Sequence, residues 1–185
     1  MEDKDTQQTT LFQNSLKWGL IVGGISIALT CVLYAVDYAL LANWKTGIVM
    51  FVLFIGLAIY AGMTYRKEIG GILAYGKAFQ HGFILFAISG LVSTIFTIVL
   101  YTVIDPELPA KLTEVALQNA QAMMENFGMP EDQMDKAMED ARKRTENQFS
   151  TSGLAMTYGI GLIIYAVLAL ITALFVRKNP PDEEI

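Results

Sequence analysis

The feature that most constrains this chain is a stretch of apolar residues, 83–104, that contains no charged side chain. Lipid offers no hydrogen bonds to a polypeptide backbone, so an uncharged run of this length is expected to form a membrane-spanning helix. Three similar blocks accompany it, which explains why 54% of the 185 residues are hydrophobic and only 17% are charged. This composition excludes an ordinary soluble domain and predicts an integral membrane protein.

The four apolar blocks predict an all-α fold, an integral membrane bundle of four transmembrane helices. The connection between the first two blocks is short enough to make them antiparallel neighbours. One transmembrane domain, 16–178, therefore lies between a polar amino-terminal tail, 1–15, and an acidic carboxyl-terminal tail, 179–185. The four predicted spans cover approximately residues 18–41, 47–65, 79–104 and 154–176.

An extramembrane amphipathic helical hairpin, approximately residues 106–150, is predicted between spans three and four. Pro106 cannot continue the helix behind it but suits the first turn of a helix ahead of it, with Asp105 as the N-cap. Gly128 and Pro130 separate two helices whose apolar residues recur every three or four positions. We expect these helices to pack antiparallel, with one face on the membrane surface or on a partner. The residues expected at their interface are Leu112, Val115, Met123, Phe127, Met134 and Met138.

Small residues near the start of span one form the pattern Gly19-x-x-x-Gly23. They place a narrow face on that helix, and such a face permits the close approach of a second helix. The approaching helix belongs either to the same bundle or to a second protein molecule in a dimer.

Hydroxyl side chains in span three are spaced four residues apart, at Ser89, Ser93 and Thr97, and so line one face of a helix. This face suits packing against another helix, with the hydroxyls bonded across the contact or back to their own carbonyls. A polar permeation path is the alternative.

Asp37 is the only acidic residue inside the four apolar blocks. A carboxylate at the middle of a membrane costs on the order of 3 kcal/mol, but the cost falls near the boundary, where water reaches it. Asp37 lies close to the end of span one, which favours an interfacial or paired carboxylate. A proton-coupled or cation-coupled role is the alternative.

Tyr75, Lys77 and His81 form a polar group before the uncharged part of span three. Lys77 and His81 are four residues apart and are expected to share a helix face, where they and Tyr75 could contact a phosphate or a lipid headgroup. The alternative is a lysine that extends to the interface beside interfacial rings. Together with Asp37, these three residues are the candidate functional polar residues of the chain.

Catalysis requires several reactive groups at one place, and the sequence offers few of them. The chain has one histidine and one cysteine, and no glycine-rich phosphate-binding motif precedes a helix. The sequence therefore predicts no catalytic, metal or cofactor site, and a protein that is not an enzyme. Residues 105–149 carry ten acidic and five basic side chains, which disfavours nucleic acid as a partner.

Basic residues near the ends of the spans indicate the orientation, because Lys and Arg accumulate on the cytoplasmic side of membrane proteins. Seven lie on the side of the termini, most of them beside the membrane, whereas six lie on the other side, most of them within the hairpin. We therefore expect cytoplasmic termini and an exported hairpin.

Three short motifs of this sequence are similar to those of a known family. They are the run 71–83 before span three, the Asp105-Pro106 exit of that span, and the turn 128–134 of the hairpin. With them the chain resembles the family named domain of unknown function 4199 over nearly its whole length. The resemblance implies a small four-span protein of Bacteroidota in the inner membrane, with the hairpin in the periplasm. It supplies no activity and no catalytic residues.

The sequence supports two functional hypotheses of different classes. The leading one is a non-enzymatic scaffold or accessory subunit of an envelope complex, embedded in the lipid bilayer and bound to a membrane-protein partner or to a second copy of itself. It follows from the small-residue helix faces, the hairpin and the lack of a catalytic constellation. The alternative is a small transporter or lipid-handling protein that uses Asp37, Lys77 and His81.

Overall fold

The computed structural model describes residues 10–179, apart from the side chains of residues 131 and 132. The predicted tails lie mostly outside these residues, at 1–9 and 180–185. A 3₁₀ helix, Tyr38–Ala42, follows the first α-helix, and a π-helical turn, Leu100–Ile104, extends the third. The α-helices of the described residues are α1 (Leu11–Val36), α2 (Trp44–Glu68), α3 (Tyr75–Val99), α4 (Leu108–Asn126), α5 (Glu131–Phe149) and α6 (Thr151–Val176).

Four of these helices are long and apolar enough to cross a membrane. They are α1, α2, α3 with its π-helical turn, and α6, and they contain 26, 25, 30 and 26 residues. At 1.5 Å per residue, the shortest covers about 37 Å, more than the roughly 30 Å of a bilayer core. The prediction of an all-α membrane bundle with four spans is confirmed, and the protein is a multi-pass membrane protein.

The helices extend beyond the predicted spans at several ends, for local reasons. α1 begins at Leu11 rather than at residue 18, because Thr10 and Gln13 form a reciprocal capping box: each backbone N–H donates to the other's side chain, at 3.2 and 3.3 Å. α1 ends at Val36 rather than at residue 41, because the Asp37 carboxylate accepts the Ala39 N–H at 2.9 Å and starts the 3₁₀ helix instead.

Between α2 and α3 the chain reverses through Gly70 and Gly71. Their φ angles are +95° and +88°, a region that side chains with a Cβ rarely adopt. α3 then begins at Tyr75 rather than at residue 79, so the polar run that precedes the uncharged stretch forms its first turns.

The chain forms two compact units. The first comprises Met1–Ile25, Phe51–Val92 and Gly161–Ile185, and so contains the amino-terminal parts of α1 and α3 and the carboxyl-terminal parts of α2 and α6. One buried cluster lies at its centre, with members from all four helices. These members are Val22, Ala58, Ala61, Leu85, Phe86 and Ala169.

Within the first unit, the predicted narrow face of α1 lies against α3. A Cβ added to Gly19 would lie 2.8 Å from the Ile88 Cβ, and one added to Gly23 would lie 2.9 Å from the Val92 Cβ. Real Cβ atoms essentially never approach other atoms so closely. A residue larger than glycine at position 19 or 23 would therefore clash with α3. Of the two alternatives for the Gly19-x-x-x-Gly23 pattern, the contact inside the bundle is the one observed.

Two of the three predicted hydroxyls of the third span bond back to their own helix. The Ser89 Oγ donates to the Phe86 carbonyl at 3.1 Å, and the Thr97 Oγ1 donates to the Ser93 carbonyl at 2.9 Å. Bonds of this kind let a hydroxyl lie in an apolar helix without a partner on another helix.

The second unit comprises Ser26–Met50 and Ser93–Ile160 and contains the hairpin. α4 and α5 pack against each other and are joined through Gly128, whose φ angle is +69°. α4 also lies against the 3₁₀ helix Tyr38–Ala42. Leu108 and Leu112 are buried together with Leu100 of the π-helical turn.

Two details of the predicted hairpin are wrong. α4 begins at Leu108, and Asp105 is not its N-cap: the Asp105 carboxylate accepts the Glu107 N–H at 3.1 Å and closes a separate turn before the helix. Met123 and Phe127 do not lie in the interface with α5, since they are 60% and 78% exposed. They point to the side of α4 that faces the start of α2, because α4 packs on two elements rather than one.

Candidate functional site

A buried polar cluster lies at the amino-terminal end of α1, in the first unit. Asn14 and Ser15 are 1% and 0% exposed, although both side chains are polar. The Ser15 hydroxyl donates to the Leu11 carbonyl at 2.8 Å, within its own helix. The Asn14 side chain instead reaches other helices, and its Nδ2 donates to the Glu68 Oε2 at 2.9 Å.

His81 of α3 completes this cluster. Its imidazole is 1% exposed, and its Nε2 lies 2.9 Å from the Asn14 Oδ1. The Asn14 oxygen can only accept, so Nε2 carries a hydrogen and donates it. The ring of Tyr65 stacks on the imidazole, with centroids 5.1 Å apart and planes 8° from parallel.

We refer to Asn14, Tyr65, Glu68 and His81 as the Asn14 network. It connects three helices, since Asn14 belongs to α1, Tyr65 and Glu68 to α2, and His81 to α3. It also leads from the buried imidazole to the exposed Glu68 carboxylate through one amide. Every buried side-chain nitrogen and oxygen of the described residues has a hydrogen-bond partner. The His81 Nε2 bonds to Asn14, and Asn14 bonds in turn to Glu68.

The end of α6 is held by side chains of its neighbours in the first unit. The Arg66 Nη1 donates to the Val176 carbonyl at 2.8 Å, one of the last carbonyls of α6, which have no partner inside the helix. The Tyr75 hydroxyl donates to the Leu170 carbonyl at 3.1 Å. Leu73 and Lys178 exchange two backbone hydrogen bonds, at 3.0 and 2.9 Å. These contacts fix the exit of the last span.

The structure places the four predicted polar residues in different surroundings. His81 is buried, Lys77 one turn earlier is exposed, and the Tyr75 hydroxyl is bonded to α6. Lys77 and His81 thus lie four residues apart on one helix, as predicted, but only Lys77 is exposed at the surface. Asp37 belongs to the second unit, where it is exposed and caps the 3₁₀ helix.

Sequence reasoning missed three members of the Asn14 network. Asn14 lies before the predicted start of span one, and Glu68 lies after the basic pair that marks the predicted exit of span two. A signal for Asn14 does exist, because Asn14, Trp18 and Val22 are four residues apart and so continue one face of α1. The pairing of Asn14 with His81, 67 residues away, has no signal in the local pattern.

A second polar cluster surrounds Asp105 in the second unit. The Tyr34 hydroxyl donates to the Asp105 Oδ2 at 3.0 Å, and the Lys111 Nζ lies 3.6 Å from the same oxygen. Lys111 also pairs with Glu107 at 3.3 Å. Removal from water alone would raise the pKa of Asp105, but the Tyr34 hydrogen bond and the Lys111 charge outweigh it and lower the pKa. The hydrogen bond with Glu107 and, more weakly, the Asp105 charge raise the pKa of Lys111.

We expect this cluster to make the stability of the second unit depend on pH under acidic conditions. The pKa of Asp105 is lower in the folded chain than the unfolded value of about 3.9. Ionised Asp105 therefore contributes stability that is fully present above about pH 3.9 and is lost as the pH falls through the folded pKa. Thermal unfolding in detergent at decreasing pH should show a fall in midpoint that the Asp105→Asn variant lacks.

The control for this measurement is Asp140→Asn, because Asp140 is exposed on α5 and has no ion pair among the described residues. Asp140→Asn should follow the pH profile of the unaltered protein. If Asp105→Asn also follows it, the Asp105 carboxylate is not bonded as described.

A cleft of about 740 Å³ lies between α4, α5 and the end of α3 in the second unit. Its wall includes Tyr101, Thr113, Arg142 and Glu146. Arg142 and Glu146 pair with each other at 3.8 Å, and Glu114 adds a second carboxylate to the wall. Among the described residues, no group of three or more His, Cys, Asp or Glu side chains is placed to hold a metal ion.

These observations define a class of protein: a small multi-pass membrane bundle with a buried polar network and a helical hairpin between its last two spans. The chain belongs to the family described as protein of unknown function DUF4199, whose sequence profile matches residues 17–178. This match confirms the resemblance seen in the three sequence motifs. No curated protein and no solved structure matches the chain.

Proposed function

We propose that this protein is a non-enzymatic scaffold or accessory subunit of an envelope complex. The observation that carries the proposal is the closeness of the helices in the first unit. An added Cβ would lie 2.8 Å from the Val176 side chain at Gly62 and 2.8 Å from Ile88 at Gly19. Such close approach of α1 to α3 and of α2 to α6 is expected of a rigid membrane anchor.

The Asn14 network supports the same proposal. Its amide, imidazole and carboxylate groups bond to one another, and so they connect α1, α2 and α3. Buried polar groups that satisfy one another make a structure more rigid and more specific. The hairpin supplies the surface on which a partner protein could bind. Its most charged part is α5, with ten charged residues among nineteen.

The alternative, a small transporter or lipid-handling protein that uses Asp37, Lys77 and His81, has less support. Asp37 caps a 3₁₀ helix, and His81 is enclosed by Asn14 and Tyr65. A transport role would require these side chains to face a common path.

We further propose that the protein lies in the inner membrane, with cytoplasmic termini and a periplasmic hairpin. Arg66, Lys67, Arg177 and Lys178 all follow the ends of spans on the side of the termini, which agrees with the positive-inside rule. A partner in the complex would then meet α5 in the periplasm.

One experiment tests both the partner and the orientation. Asp140, exposed on α5, is replaced by cysteine in a chain whose exposed Cys31 is replaced by alanine. Cells with a permeabilised outer membrane are treated with a membrane-impermeant, thiol-reactive photocrosslinker. We expect labelling in intact inner membranes and, after illumination, a reproducible adduct with one companion protein or with a second copy.

The matched control is Lys67→Cys in the same background, because Lys67 is exposed at the end of α2 in the first unit. It should be labelled only after the inner membrane is broken. The reverse labelling pattern would invert the topology. An Asp140→Cys variant that is labelled but forms no adduct, in a protein that purifies alone and monodisperse, would count against the scaffold function.

A further inference from the structure

The first turn of α4 lies at the membrane boundary. The span formed by α3 and its π-helical turn ends at Ile104, and α4 begins shortly afterwards, at Leu108. Leu108 is fully buried in a cluster with Leu100, which belongs to that span, and Tyr34 of α1 packs against the same cluster. The amino end of α4 is therefore at the level where these spans leave the membrane.

The last turns of α4 also lie at the membrane boundary. They form one wall of a cleft of about 770 Å³, the Trp44 cleft, in which Met123, Asn126 and Phe127 face Ala42 and Trp44. Trp44 is the first residue of α2, so it marks where that span begins. A helix of 19 residues is about 28 Å long, and both ends of α4 lie beside span boundaries. α4 must therefore run along the membrane surface rather than away from it.

The two hairpin helices differ in charge in a way that fits this placement. α4 has three charged residues among nineteen, and its stretch 115–124 has none. α5 has ten charged residues among nineteen. A helix in the lipid interface needs an apolar face of low charge, whereas a helix that faces water does not. α4 is thus suited to the membrane side of the hairpin and α5 to the water side.

The side chains around the Trp44 cleft are apolar and exposed. Trp44, Met123 and Phe127 are 68%, 60% and 78% exposed. Tryptophan is favoured at the interface between lipid and water, and methionine adapts its shape to lipid neighbours. The polar side chains on the α4 wall of this cleft are the neutral amides of Asn119 and Asn126.

We infer that α4 is an interfacial helix and that the Trp44 cleft takes the acyl chain of a lipid from the adjacent leaflet. The lipid has a headgroup without net charge, because no charged side chain lines the Trp44 cleft. Beside the cleft Lys45 lies over the Trp44 ring, 5.9 Å from its centroid, and α4 as a whole has one basic and two acidic residues, so neither sign of charge dominates. Acyl contact covers Met123 and Phe127, and the cleft amides lie at the depth of the glycerol esters. This inference does not depend on the proposed scaffold function.

Quenching of tryptophan fluorescence by brominated lipids tests the inference. The chain has two tryptophans, Trp18 and Trp44, and both are replaced by phenylalanine to give a background without fluorescence from indole. Phe127→Trp then places a reporter at the end of α4, and Arg144→Trp, at an exposed position on α5, is the matched control. Each purified variant is reconstituted in phosphatidylcholine vesicles with or without bromine on the acyl chains.

We expect the Phe127→Trp variant to lose about half or more of its fluorescence in brominated vesicles, and the Arg144→Trp variant to keep nearly all of it. Aqueous iodide should instead quench the Arg144→Trp variant more strongly than the Phe127→Trp variant. Equal quenching of both variants by iodide, with no difference between the lipids, would overturn the inference and leave the whole hairpin in water.

Two further outcomes are distinguished by the same samples. If the Phe127→Trp variant is protected from both quenchers and the protein crosslinks as a dimer, a second copy covers the cleft and the inference is overturned. Brominated phosphatidylglycerol, diluted to the same mole fraction as brominated phosphatidylcholine, should quench less. Stronger quenching by phosphatidylglycerol would overturn the assignment of an uncharged headgroup.

Discussion

Replacing Gly23 with leucine is expected to destabilise the bundle severely, whereas the same replacement at the adjacent Gly24 should leave its stability nearly unchanged. A Cβ at Gly23 would lie 2.9 Å from both the Cβ and the Cγ1 of Val92. The Val92 Cβ is fixed by the α3 backbone, and its branched side chain has few allowed χ1 rotamers, so relief of the clash requires a shift of α3. Overpacking of this kind typically costs about 1–3 kcal/mol, and leucine adds three carbons beyond the Cβ, so we expect about 3 kcal/mol or more.

Gly24 is the matched control because it lies on the same helix and nothing lies within 4 Å of a Cβ added there. Its replacement by alanine should even stabilise α1, by about 0.5–1 kcal/mol, since glycine is a poor residue for the middle of a helix. Unfolding of the purified variants in mild detergent, followed by circular dichroism against added sodium dodecyl sulfate, measures these differences. Equal midpoints for Gly23→Leu and Gly24→Leu would contradict the contact between α1 and α3.

The four spans can be predicted from sequence because their signal is local. A run of apolar residues without charge, such as 83–104, identifies a span by itself, whatever the rest of the chain does. The ends of the helices are harder, because they depend on single side chains. Hydropathy alone assigns residues 11–15 to the amino-terminal tail, but the capping box of Thr10 and Gln13 makes them the first turns of α1.

The packing of the hairpin is only partly predictable. The spacing of apolar residues identifies two amphipathic helices, which the structure contains as α4 and α5. The same spacing cannot tell which neighbour an apolar side chain faces. α4 packs on α5 and on the 3₁₀ helix at once, so Leu112 is buried beside the spans while Phe127 lies in the Trp44 cleft.

The contacts of the Asn14 network are the part of the structure that is hardest to predict from sequence. His81 can be singled out from the sequence as the one histidine of the chain, but its environment cannot. Asn14 is 67 residues away from it, and Glu68 is 54 residues away from Asn14. These three side chains meet only because α1, α2 and α3 pack together, which a local pattern does not record. The nearness of Asp37 to a span end is visible in the sequence, and the structure places it directly after α1, where it caps the 3₁₀ helix.

The Asn14 network leads to the second large expected effect, a strong coupling between Asn14 and His81. The Asn14→Leu replacement keeps a similar volume but leaves the buried His81 Nε2–H without its acceptor. A buried donor without a partner costs about 1–3 kcal/mol, and the loss should appear directly in the free energy of unfolding. His81→Phe alone has a similar effect, because the Asn14 Oδ1 then has no donor, although the stacking on Tyr65 can persist.

The double variant Asn14→Leu, His81→Phe removes the donor and the acceptor together. Glu68 is exposed, so its carboxylate can turn to water when Asn14 is absent. We therefore expect the double variant to be less destabilised than the sum of the single variants, by about 1–3 kcal/mol. Unfolding of all four proteins in the same detergent titration gives this coupling energy. Additive effects would show that the two side chains act independently, and His81 would then be free to serve the polar or proton-linked role that the alternative function requires.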